Sequence, residues 1–164
     1  MADNENGRVL SRRLLTGAEC GALATLAMSA VMLAGVATGV SPMPKPIPVA
    51  LVSHTLGLSP GPALIVLAVV AHLAYGAGAG AVLAGLVDRI AVWHGVVFAA
   101  ALWVVMGLVW LPYLGWGLFG TGLTPKIAGA TLVLHLVYGL TLGALLARQT
   151  RRHSAEANRQ EVAR

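Results

Sequence analysis

The sequence predicts an all-α fold: a four-helix transmembrane bundle built from a duplicated helical hairpin, a parallel 2+2 repeat. Three observations predict it. Of the 164 residues, 57% are hydrophobic and only 10% are charged, where a soluble domain carries about 25% charged residues. The apolar residues gather in four runs long enough to cross a hydrocarbon core of roughly 30 Å. One pattern also occurs twice: His72, Tyr75, Gly76, Gly80, and again His135, Tyr138, Gly139, Gly143.

In chain order, residues 1–16 form a polar N-terminal segment. Asp3 to Asn6 read as a disordered tip, and Arg8, Arg12 and Arg13 precede the first apolar run. Ser11-Arg12-Arg13-Leu14-Leu15 faintly resembles a twin-arginine signal, but the run behind it has the length of a span, so the arginines read as a cytoplasmic anchor. The first span covers residues 17–40 and is rich in small residues such as Gly21, Ala24 and Ala27, which favour close helix approach. Glu19 sits at its edge, where snorkelling or an arginine partner is expected. Pro42, Pro44, Pro46 and Pro48 then alternate with other residues. Proline lacks an N–H and disfavours helix just before it, so this stretch is expected to be extended. Residues 49–58 are apolar but too short to span, and read as an interfacial or re-entrant piece.

The second span covers residues 63–87. The tight Asp88-Arg89 turn leads into the third, residues 90–111, and predicts that spans two and three are antiparallel neighbours. Trp93, Trp110 and Trp116 read as interface anchors, and Trp103 as mid-span packing. The fourth span covers residues 126–147, and residues 148–164 read as a basic, frayed and then disordered tail. Together residues 17–147 form the membrane domain.

Charge placement predicts topology. Arg8, Arg12, Arg13, Arg89, Arg148, Arg151, Arg152, Arg159 and Arg164 fall on one side, and Lys45 and Lys126 on the other. The positive-inside rule puts both termini in the cytoplasm of a multi-pass inner-membrane protein. The same placement makes the formal charge of +5 a topology signal and not a nucleic-acid one. The expected partners are the lipid bilayer and a second copy or another membrane subunit. The single Cys20 excludes an intramolecular disulfide and a multi-cysteine metal cluster.

The duplication rests on two offsets. At 63 residues, Pro62 matches Pro125, Gly57 matches Gly120, and Leu83-Ala84 matches Leu146-Ala147. At 74 residues, Gly21 matches Gly95 and Val31-Met32 matches Val105-Met106. Each copy has two spans, so both copies keep one orientation, with a pseudo-two-fold axis along the membrane normal.

On a helix the repeated His, Tyr and two Gly fall within an arc of roughly 140°. His72 and His135 lie nine residues inside their expected helices, about 13 Å deep and close to mid-bilayer. A polar group at that depth needs a partner and often marks a site. The strips Gly76/Gly80 and Gly139/Gly143 are expected to let spans two and four meet at the axis. Three readings stay open. His72, Tyr75, His135 and Tyr138 form a buried polar pair of pairs, structural or proton-relaying. His72 and His135 are axial ligands of a haem b, or they hold a quinone. Or the chain is an accessory subunit docking through its glycine faces. His54, His94 and His153 read as solvated or interfacial. No nucleophile triad, P-loop or zinc motif is present, so the sequence offers no positive evidence for an enzyme and no catalytic residue, with a lipid-modifying activity left open.

Gly-Ala-Leu-Ala at 21–24, Met-Ser-Ala at 28–30, Pro-x-Pro-Lys-Pro at 42–46 and the two His-x-x-Tyr-Gly-x-x-x-Gly helices together resemble the small four-helix inner-membrane proteins of the YagU-like type. The resemblance spans about residues 17–147. It implies an inner-membrane four-helix protein with a link to pH stress, and brings no catalytic residues with it.

Overall fold

The computed structural model describes residues 2–162, with side chains for residues 7–151 and Arg159. The expectations for His153, Arg152 and Arg164 fall outside those side chains. Five helices follow in order: α1 (Ala2–Ala37), α2 (Ile47–Leu56), α3 (Pro62–Leu86), α4 (Val92–Tyr113) and α5 (Lys126–Val162). Four segments are long and apolar enough to cross a membrane: Gly7–Ala37, Pro62–Leu86, Val92–Tyr113 and Lys126–Arg151. No strand occurs among the described residues.

The boundaries follow local chemistry. Pro62 opens α3, where its missing N–H costs nothing. Gly57, at φ 64°, ends α2 in the left-handed region. Both ends of the chain are more helical than expected: α1 starts at Ala2 and α5 continues to Val162. Neither helix contains proline, and once a helix is nucleated each added alanine, arginine, glutamine or glutamate extends it at little cost.

The helices pack in the order α3–α1–α5–α4, with α2 laid against α3 near one end of the bundle. Both termini emerge at the opposite, terminal end. Glycines make the two closest seams. Between α1 and α3, a Cβ added to Gly80 would lie 2.8 Å from the Gly21 Cα, and one on Gly17 would lie 2.6 Å from the Ala84 Cβ. Between α4 and α5, a Cβ on Gly95 would lie 2.8 Å from the Gly143 Cα, and one on Gly139 would lie 2.6 Å from the Ala99 Cβ. The glycine strips therefore face spans one and three. The meeting of spans two and four that Gly76, Gly80, Gly139 and Gly143 would permit is not made across these glycines. Small residues on α1 and α4, Gly17, Gly21, Gly95 and Ala99, occupy those strips instead.

The short connection likewise does not make spans two and three neighbours. Among the described residues, α3 and α4 do not pack along their lengths. Val87 and Ala91 are extended, and a five-residue link reaches up to about 17 Å. That is enough to carry the chain across the bundle instead of folding it back on itself. Arg13 closes the terminal end. Its guanidinium bonds the Asp88 carboxylate at 2.6 Å and donates to the Ala84 and Val87 carbonyls at 2.7 and 3.0 Å. Those carbonyls are the acceptors that the end of α3 leaves free.

Two apolar cores result. Near the terminal end, Cys20, Ala24, Ala79, Leu83, Ala99, Leu142 and Leu146 pack together. Near the α2 end, Ile47, Ala50, Met106, Leu111, Trp116 and Ile127 form the second. Trp116 is only 8% exposed, so it is a core residue and not the expected interface anchor. Neighbouring Gly115 and Gly117, both at φ 75°, turn the backbone so that its indole points inward.

Gly80→Ala and Gly95→Ala are expected to force their seams apart and cost about 1–3 kcal/mol each. Gly78→Ala, with open space around it, is expected to be neutral or mildly stabilising. Thermal unfolding of the three variants in mild detergent checks the contrast.

Candidate ligand chamber

Between the two cores lies a chamber of about 300 Å³ to which every helix contributes. From α1 come Thr25, Met28 and Met32. From α2 come Ile47, Leu51 and Thr55. Span α3 gives Ala71, His72 and Tyr75, α4 gives Leu102, Met106 and Trp110, and α5 gives Leu134 and His135. The wall is mainly apolar, with a few convergent polar groups, the usual composition of a small-molecule site. Among the lining residues there is no arginine, lysine, aspartate or glutamate.

The structure brings both repeated histidines to this one chamber. His135 is buried, and its Nδ1 lies 2.8 Å from the Thr131 carbonyl one turn back. A carbonyl only accepts, so Nδ1 carries the proton. In the neutral ring Nε2 then holds a bare lone pair. Thr131 is itself fixed. Its hydroxyl donates to the Ile127 carbonyl at 2.7 Å, and Trp103 Nε1 donates to that hydroxyl and to the Ala128 carbonyl, both at 3.2 Å. His72 differs. Its Nε2 is buried and has no hydrogen-bond partner. Such an atom costs about 1–3 kcal/mol unless something in the chamber bonds it.

The tyrosines divide. Tyr138 is 3% exposed, and its hydroxyl donates to the Gly76 carbonyl at 2.7 Å. It links α5 to α3 and floors the chamber. Tyr75 is 45% exposed and stands at the chamber's edge. The structure gives neither histidine a bond to a tyrosine.

Three contributors were not read from the sequence. The short helix α2 roofs the chamber, where an interfacial or re-entrant piece without a role in a site was expected. Met106 to Trp110 wind as a π turn inside α4, a form that recurs at functional sites. The available signal was Pro112, whose missing N–H disturbs the preceding turn. Trp103 acts as a donor that holds Thr131, beyond simple packing.

The remaining described histidines do local work. His94 Nδ1 accepts from the Ala91 N–H at 3.0 Å, and its ring stacks on Trp93 with centroids 3.7 Å apart. His54 meets Tyr113 edge-on with centroids 4.8 Å apart. Among the described residues no cluster of His, Cys, Asp and Glu suits a metal ion.

Residues 11–157 match a family described as "Family of unknown function (DUF6789)". No curated protein and no solved structure matches the chain.

Nitrogen NMR of histidine-labelled protein is expected to show His135 as the Nδ1–H tautomer. Trp103→Phe, which removes the indole donor, is expected to lower stability by about 0.5–1 kcal/mol. Denaturant unfolding in detergent measures that loss.

Proposed function

The chain belongs to this family of unknown function, and from that premise we propose that it is a membrane protein that binds a small lipid-soluble ligand between its spans. The favoured ligand is a quinol headgroup. One observation carries the reading: the chamber is lined by His72, whose Nε2 is buried without a partner, and by His135, whose Nε2 offers only a lone pair. A bound hydroxyl donates to His135 Nε2, and a ring oxygen accepts from the His72 imidazole. Trp110, Met28, Met32 and Met106 supply apolar and polarisable wall around the ring.

A haem b with His72 and His135 as axial ligands fits less well. Its propionates call for cationic or solvated partners, and no lining residue is cationic. The chamber volume also lies at the bottom of the range for small-molecule sites. The glycine faces are occupied within the chain, so an accessory role through those faces is not favoured. A proton-relay role and a link to pH stress would use the same two imidazoles, and histidine titration in the membrane tests them directly.

Two further proposals concern architecture and placement. The spans descend from a duplicated hairpin. In support, Gly21 meets the Gly76/Gly80 strip and Gly95 meets the Gly139/Gly143 strip, contacts related by the two sequence offsets. Both termini lie in the cytoplasm of the inner membrane. In support, Arg8, Arg12, Arg13, Arg89, Arg148 and Arg151 belong to the terminal end, and Lys45 and Lys126 to the other.

Quenching of tryptophan fluorescence by a short-chain quinol, titrated into detergent-solubilised protein, tests the function. His72→Ala and His135→Ala are each expected to weaken binding about tenfold or more, in line with the loss of one buried hydrogen bond. Equal affinity in wild type and both variants would refute the assignment. An absorption spectrum of the same sample, with or without a Soret band, decides for or against haem.

A further inference from the structure

The chamber is closed in five directions. Towards the α2 end, Ile47, Leu51 and Thr55 roof it. The roof is fastened to the end of α4 by a 3.2 Å hydrogen bond between the Thr55 and Tyr113 hydroxyls and by the His54–Tyr113 ring contact. Towards the terminal end, the Tyr138–Gly76 bond and the core around Ala79, Leu83, Leu142 and Leu146 fill the space. The α1–α3 and α4–α5 seams are shut by backbone contact at their glycines, and α1 packs along α5.

The sixth direction is the seam between α3 and α4, which do not pack along their lengths. Ala71 and Tyr75 line the chamber and are nevertheless exposed. On α3 they are rotated roughly 140° and 100° from Gly76, which faces α1, past His72. Across the seam on α4, Leu102 lines the chamber and is half-exposed. Ala71 and Tyr75 lie nine and thirteen residues past the first residue of α3, about 13 and 20 Å deep. A membrane-spanning bundle meets hydrocarbon there, not water.

We infer that the chamber is entered sideways from the bilayer, through the seam at Ala71, Tyr75 and Leu102. The ligand is an amphiphile whose polar ring reaches His72 and His135 while one apolar tail stays in the seam. The inference rests on the ligand reading above and extends it to the ligand's shape and route. A tail in the seam meets only apolar side chains and the Tyr75 ring. The terminal end offers a water-soluble ligand no comparable route, because it is packed, and at the α2 end the exposed Thr55 is tied to Tyr113.

The test uses the full chain in lipid nanodiscs containing a diazirine-bearing fatty acid, which carries the reactive group on its alkyl tail. After illumination, labelled residues are located by mass spectrometry. Leu102 and Leu134 are expected to be labelled well above the fully buried Ile127 and Leu142. The lipid-facing Leu23 and Leu26 serve as positive controls. Ala71→Trp is expected to cut labelling at Leu134 at least fivefold while leaving Leu23 and Leu26 unchanged. Leu102→Trp narrows the seam from the other side and should do the same, which guards against one variant failing to fold. Labelling of Leu134 no higher than that of Leu142 would overturn the inference, as would labelling that neither tryptophan reduces. The fatty acid does not depend on the identity of the ring, so the two ideas fail separately. Quinol binding without chamber labelling sinks the lateral entrance. Chamber labelling without quinol binding sinks the ring assignment and keeps the entrance.

Discussion

Backbone contact at glycine organises this molecule. In a bilayer, apolar side chains gain nothing by leaving lipid for protein, so helices associate where they can approach most closely. Gly17, Gly21 and Gly80 set α1 against α3, and Gly95, Gly139 and Gly143 set α4 against α5. Once those seams are fixed, α3 and α4 are held apart although only five residues join them. Space then remains between the pairs. The chamber is what two tight hairpins leave when they meet through α1 and α5.

The polar chemistry of the chamber depends on that spacing. His135 is oriented by its own helix through the Thr131 carbonyl, and Trp103 reaches from α4 to hold Thr131 in place. His72 has no such support, and its buried Nε2 has no hydrogen-bond partner. The two repeated histidines thus have equivalent sequence positions and unlike roles. Tyr75 and Tyr138 diverge similarly, one at the rim and one bonded to the Gly76 carbonyl. If the halves arose by duplication, the site is where they have parted.

The α2 end shows how irregular backbone serves the same space. The alternating prolines lead into a helix too short to span, and that helix becomes a roof. On α4, the π turn from Met106 to Trp110 aims two chamber residues inward. Phe119, held at φ 53°, lays its ring over Gly107 and meets Trp103 with centroids 4.7 Å apart. Neither feature has a periodic signature, because each is a local departure from periodicity.

Much of the fold was legible in the sequence. Hydropathy alone marks four spans, since hydrocarbon tolerates only helices with their backbone bonds satisfied internally. The depth of His72 and His135 follows from counting residues along a helix of fixed rise. The identity of the close-packing glycines follows from their four-residue spacing. Which helix each glycine strip faces does not follow, because a smooth face accepts any other smooth face. The strips would have permitted spans two and four to join, and they met spans one and three. Trp116 shows the same limit. An aromatic near a span end suits the interface until glycines at positive φ turn it inward. Composition and period determined what the elements are. Only the tertiary structure decided which faces meet, and so where the chamber lies, because helix pairing is a competition among nearly equivalent surfaces that local sequence does not rank.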